Sequence, residues 1–286
     1  MRSYRNLLFI LTLGTLLQGW GYETHSRINR AAAQSINGPF GEFLTIYMDT
    51  IASHAPDPDL WKKNDPNEGY RHYMDADYFS TYPFEDVPHL LNKAQEKYGE
   101  ESLRSWGIAP WYINHVADSL THLFSDRRWN DALMVMAAMG HYVADIHMPL
   151  HTVANYNGQL TGNKGVHYRW ESQLVDEYVN SITVDLPVFA YKSVADEPFQ
   201  IVTASYAVHD SILAADTYAR APLSSGQEDT LATYQDGQFL RVYLARLNEK
   251  SGDLVQQQLN KAARAVACFW FTCWIEAGKP DPSQSP

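Results

Sequence analysis

The sequence predicts an all-α protein folded as one domain, on three observations. Apolar residues recur at helical spacing in block after block, strand-like alternation is almost absent, and Pro and Gly fall mostly between the blocks. The 286 residues are 45% hydrophobic and 19% charged, which supplies one substantial core.

The first residues stand apart. "MRSYRN" carries Arg2 and Arg5, and "LLFILTLGTLL" (7–17) is an apolar run of eleven, with "QGWG" after it. This is the layout of a secretory signal peptide, and the run is shorter than the roughly 20 residues a membrane-spanning helix needs. Residues 1–19 are therefore expected to be removed by cleavage before Trp20, leaving the protein periplasmic or secreted. The folded domain is then 20–277. Helical blocks follow at 25–36, 88–99, 111–124, 131–147, 169–182, 198–219 and 237–271, the last expected to break near Ser251 and Gly252. The tail 278–286, "GKPDPSQSP", is polar and Pro-rich and is expected to be mobile. Cys268 and Cys273 are five residues apart, so on one helix their sulfurs project from different faces, and two buried free thiols are predicted.

The formal net charge is −11, and removing Arg2 and Arg5 takes it to −13. Such a chain has no long-range attraction for nucleic acid or anionic lipid. Any phosphate it handles must be gripped locally, and bound cations are the obvious means.

The chemistry concentrates in "GHYVADIHMPLHT" (140–152). The helix that ends there is apolar on nearly all sides and so is buried, where an ionised Asp145 needs a partner. His141 and Asp145 are four apart and share one face, so they can grip the same ion. Pro149 ends the helix and His151 lies just beyond. Sixteen residues on, after the polar, Gly-rich "NYNGQLTGNKG", His167 and Glu171 repeat the spacing. Upstream, His25, Asp57 or Asp59, and His72 are further candidates. Two HxxxD/E pairs with an extra His point to metal, since zinc takes imidazole and carboxylate ligands. His147, and likewise His54, His89, His115, His122 and His209, are read as supporting or surface histidines.

This ordered pattern of Trp, His, Asp, His, HxxxD, His and HxxxE, running from Trp20 to Glu171, resembles the superfamily of bacterial zinc-dependent phospholipase C and the S-one/P-one type single-strand nucleases. The resemblance implies an all-α secreted phosphodiesterase with three zinc ions, a hydrolase acting on ester bonds. It implies that one zinc is held by Asp57, His72, His141 and Asp145. A second would take the α-amino group and carbonyl of Trp20, with His25 and a bridging oxygen of Asp145. The third would sit on His151, His167 and Glu171. It also implies that Asp57 is the catalytic carboxylate that orients or deprotonates the attacking water, with Asp59, two residues away, as the other candidate.

The spacings from Trp20 to His25 and from Asp57 to His72 are similar to the nuclease branch, which implies single-stranded nucleic acid or 3′-nucleotides as substrate. Glu171 in place of Asp, and the short step from His151 to His167, are similar to the phospholipase branch, with phospholipid headgroups as the alternative substrate. A nuclease needs an aromatic slot beside the metals, for which Trp61, Tyr70, Tyr73, Tyr156 and Tyr168 are candidates. A third reading is a zinc-stabilised helical binding protein without turnover. The three-residue set His151, His167 and Glu171 argues against it, because structural zinc sites are closed by four protein ligands.

Overall fold

A computed structural model of the chain describes residues 20–223 and 237–284. The expected signal peptide and its cleavage point's upstream side lie outside the described residues. The described residues form helices and loops with no strand, as the sequence predicts. In order they are α1 (Tyr22–Ser35), α2 (Gly38–His54), α3 (Asp57–Trp61), α4 (Ala76–Phe79), α5 (Leu91–Tyr98), α6 (Glu100–Trp106), α7 (Ala109–Ser125) and α8 (Trp129–Asp145). After a loop come α9 (Val166–Tyr168), a π-helical turn (Arg169–Gln173), α10 (Leu174–Tyr178), α11 (Glu197–Tyr206), α12 (His209–Arg220) and α13 (Gly237–Glu276).

Helix α8 is the centre. It packs against α1, α2, α7 and α13, which is why its sequence is apolar on every side. Small residues let its neighbours approach. A Cβ on Gly140 would run into the Asn29 amide of α1, and that amide is itself buried and donates to the Ala137 carbonyl at 3.1 Å. On the opposite side Trp270 of α13 donates to the Met136 carbonyl at 3.1 Å. No helix among the described residues is long and apolar enough to cross a membrane.

The element boundaries differ from expectation where tertiary contacts override local signals. α13 runs unbroken through Ser251 and Gly252, spanning about 60 Å at 1.5 Å per residue. Ser251 is buried, donates to the Leu247 carbonyl and accepts from the Trp170 indole at 3.1 Å. That contact outweighs the roughly 1 kcal/mol that glycine costs a helix interior. The block 198–219 is two helices instead of one, parted at Ala207 and Val208, where the His209 ring captures the Tyr206 carbonyl at 2.5 Å. α2 lies outside the helical blocks read from the sequence. Gly41 is there for close approach, since a Cβ would run into the Ile36 carbonyl oxygen. Cys268 and Cys273 are free and buried as predicted. In the tail, the Trp274 indole donates to the Pro280 carbonyl at 3.0 Å, and Pro282 is buried in a turn that rests on α2.

Replacing Gly140 by Ala should force the Asn29 amide from its bond to α8 and destabilise the fold by about 1–3 kcal/mol, the usual cost of overpacking. Chemical denaturation of the two proteins measures it, and an unchanged midpoint would show that α1 and α8 have room to spare.

Candidate metal centre

The end of α8 delivers His141 and Asp145, one turn apart, into a fully buried space. Asp145 stands at its middle. Its Oδ2 lies 2.8 Å from His72 Nδ1 and 3.3 Å from His141 Nε2, and its Oδ1 lies 3.5 Å from His25 Nε2 and 3.8 Å from His151 Nδ1. Three buried groups emerge whose ligand atoms lie within 4.8 Å of one another: His25, His141 and Asp145; Asp59, His72 and His141; and His151, His167 and Glu171. Each could hold a metal ion.

The tautomers decide what these atoms require. A carbonyl only accepts, so His141 Nδ1 donates to the Ala55 carbonyl at 3.0 Å, which leaves its Nε2 a lone pair when the ring is neutral. His72 stands between two carboxylates, its Nε2 3.1 Å from Glu68 and its Nδ1 2.8 Å from Asp145. The His141 lone pair faces His72 Nδ1 at 3.0 Å, beside the Asp145 carboxylate. The third group repeats the arrangement. His151 Nδ1 donates to the His72 carbonyl and His167 Nδ1 to the Tyr156 carbonyl, both at 3.0 Å. Their Nε2 atoms then meet at 3.2 Å, and Glu171 Oε2 is 3.2 Å from that of His167. In this third group the Nε2 lone pairs of the neutral rings meet the Glu171 carboxylate, acceptors that call for a proton or a metal ion among them. Histidine ligands fixed through their other nitrogen are the usual second layer of a metal site.

Unsatisfied atoms mark the same place. Both ring nitrogens of His25, Oδ1 of Asp145 and both Glu171 oxygens are buried without a hydrogen bond among the described residues, and such an atom costs about 1–3 kcal/mol. Burial, with His141 beside it, lowers the His25 pKa to about 3, so this ring stays neutral and offers a lone pair rather than a charge. Burial is the largest influence on Asp145 and Asp59 and opposes their charges, yet their neighbours together hold both carboxyls below the ordinary range, His141 foremost, with His151 at Asp145 and Lys62 at Asp59. Burial likewise opposes protonation of His141 and His151, but Asp145 lifts both pKa values. Protons and a metal therefore compete for the same atoms.

The structure thus brings together the predicted side chains of His25, His72, His141, Asp145, His151, His167 and Glu171. Trp20 is buried beside them, its indole donating to the Ala144 carbonyl at 2.9 Å and its ring 5.6 Å from Trp170. Asp57 is a correction. It pairs with His54 at 2.7 Å and is partly exposed, whereas Asp59 is buried with its Oδ1 3.8 Å from His72 and 3.7 Å from His141. Both lie in the first turn of the short α3, whose direction decides which faces inward. His147 stays outside the groups, donating to the Val143 carbonyl at 2.7 Å.

Sequence reasoning missed Glu68. It is fully buried, accepts from Tyr142 and His72, and pairs with Arg71 at 2.6 Å. Its spacing of four from His72 was the available signal. Beside the centre opens a cleft of about 470 Å³ walled by His72, His151 and His167, with Tyr70, Tyr73 and Tyr156. Lys62 and Arg104 bring positive charge to it, and Asp75 brings a carboxyl whose pKa burial and Asp77 raise to about 7. Trp61 and Tyr168 are not among its walls. No protein-family model matches this chain, and no curated protein matches it.

Two outcomes are expected. Glu68→Gln removes the charge that orients His72 and should weaken metal binding by about 10–100-fold while leaving the fold intact; titration calorimetry reads it, and unchanged affinity would discount Glu68. Because His141 and His151 hold protons above the ordinary histidine range, metal uptake near neutral pH should release protons, and affinity should fall as pH falls. Calorimetry in two buffers of different ionisation heat gives the proton count, and a count of zero would remove the imidazoles as ligands.

Proposed function

We propose that this chain is a zinc-dependent phosphodiesterase of the phospholipase C and S-one/P-one nuclease type, acting on single-stranded nucleic acid or 3′-nucleotides. One observation carries the reading: the three buried groups of His, Asp and Glu adjoin an open cleft whose wall includes His72, His151 and His167 and which also presents tyrosines and two cations. A purely structural metal site has no use for a cleft. Three zinc ions fit the donor set, since each group offers imidazole nitrogen and carboxylate oxygen and leaves positions for water or substrate.

Bound zinc supplies an acidified water and positive charge toward the phosphoryl oxygens. The chain's own residues do the rest. Lys62 and Arg104 draw the phosphate of an anionic substrate into an otherwise acidic protein. Tyr70, Tyr73 and Tyr156 offer ring faces on which an unpaired base can stack, at about 1–3 kcal/mol per base. The water-orienting carboxylate expected of Asp57 passes to Asp59, which stays ionised beside His141 and Lys62 and can accept a proton. Asp75, protonated near neutrality, can return one to the leaving oxygen. Export with cleavage before Trp20 completes the set, because a freed α-amine can ligate zinc and a peptide nitrogen cannot. Trp20 is buried next to Asp145's helix, where that amine would act.

One purified preparation assayed on single-stranded DNA, 3′-AMP and phosphatidylcholine should show chelator-sensitive hydrolysis of the first two. Hydrolysis of phosphatidylcholine alone would transfer the protein to the phospholipase branch, and none on any substrate would leave a metal-binding protein without turnover. Asp145→Asn, which touches His25, His72 and His141 together, should lose two of three zincs by elemental analysis and at least about 100-fold of activity. Full zinc content in that variant would refute the shared carboxylate.

A further inference from the structure

A second cavity, of about 340 Å³, lies between α11, α13 and the coil that precedes α11, and shares no residue with the cleft beside the metal centre. Its size is at the low end of small-molecule pockets, which run from about 300 to 1,000 Å³. Its buried end is polar. His147, Ser205 and Gln258 line it, at 5%, 1% and 3% exposure. Gln258 is spent on its neighbours, donating to the His147 carbonyl at 2.7 Å and to Ser205 at 3.5 Å. His147 is different. Its Nδ1 donates to the Val143 carbonyl, so the neutral ring carries a lone pair on Nε2. That atom has no partner among the described residues and is not sealed in, so it opens into the cavity. The walls, Ile201, Ala265 and the Tyr191 ring, are largely apolar.

The outer end carries opposite charges that do not pair with each other. Glu197 is partly buried and makes no ion pair or hydrogen bond among the described residues, and only its burial moves its pKa, upward. Lys261 is exposed, and its ammonium reaches only the Gln258 amide oxygen, at 3.4 Å. Arg264 adds a second positive charge, 5.1 Å over the Phe189 ring. A partly buried carboxylate without a counter-ion is costly unless something supplies one.

We propose that this cavity binds a free α-amino acid whose side chain bears one N–H or O–H donor on an apolar body, as in tyrosine. The ammonium group meets Glu197, the carboxylate meets Lys261 and Arg264, the ring lies between Ile201, Ala265 and Tyr191, and the donor reaches His147 Nε2. The buried His147 nitrogen and the charged groups of the outer end are then matched by one ligand, with Arg264 also donating to the Pro187 carbonyl at 3.2 Å. The site is separate from the metal centre and does not depend on the phosphodiesterase reading.

Titration calorimetry on the full chain tests it with four probes: L-tyrosine, L-phenylalanine, tyramine and 3-(4-hydroxyphenyl)propionate. L-tyrosine should bind at one site per chain, and each of the others, lacking the donor, the carboxylate or the ammonium, should bind at least about tenfold more weakly, as expected when a buried polar group is left unmatched. Glu197→Gln and Lys261→Gln, at a partly buried and an exposed position outside the core, should each weaken L-tyrosine by a similar factor. Glu197→Gln should leave the propionate unaffected. Absence of heat with L-tyrosine at millimolar concentration, equal binding of all four probes, or indifference of L-tyrosine to both substitutions would overturn the proposal. Because binding is the readout, any of these results leaves the proposed hydrolysis standing.

Discussion

The structure depends on one constraint: a carboxylate sealed among imidazoles. Asp145 is fully buried with imidazole nitrogens of His25, His72, His141 and His151 around it, between 2.8 and 3.8 Å away. A hydrogen bond on the far side of His141 leaves its near nitrogen an acceptor, and His72 stands between the Glu68 and Asp145 carboxylates. Acceptors facing acceptors repel, and burial removes the water that would soften the repulsion. Positive charge must enter, and the protein surrounds the place where it would sit with helices rather than with one flexible loop.

The fold serves that constraint from both halves of the chain. α8 is clasped by α1, α2, α7 and α13, so the last turn that carries His141 and Asp145 is held on every side. The second ligand-bearing turn is held differently. Arg169, between His167 and Glu171, donates to Asp216 of α12 at 2.8 Å, while Asn163 donates to the same carboxylate at 2.8 Å and Tyr243 of α13 at 2.5 Å. This buried network ties the Gly-rich loop and the π-helical turn to helices that read in sequence as generic. A π-helical turn is uncommon away from functional sites. Here it begins two residues after His167 and carries Glu171, two of the three residues of one candidate ion site.

Much of this was legible before any coordinates. Helix periodicity locates α7, α8 and the start of α13 because those segments bury a continuous apolar face. The i, i+4 pairs His141–Asp145 and His167–Glu171 mark the centre because one helical turn is a fixed distance. What failed were positions whose outcome is set by a distant partner. Gly252 reads as a break until Trp170 is seen to dock on Ser251. Asp57 and Asp59 cannot be told apart by spacing, since the direction of a five-residue helix is set by what it packs against. Glu68 carries no motif of its own; its role exists only because Tyr142, Arg71 and His72 arrive around it.

By itself, then, the sequence determined helical class, the helix that must be buried, and the residue types able to neutralise one another inside it, because these follow from local period and from the cost of burying charge. The tertiary structure alone decided which acidic residue of α3 faces the histidines, that the Nδ1 atoms of His141, His151 and His167 are tied to backbone carbonyls, and that a cleft opens beside them while a second cavity forms elsewhere. Those are matters of direction. A side chain's direction is fixed by contacts made tens or hundreds of residues away.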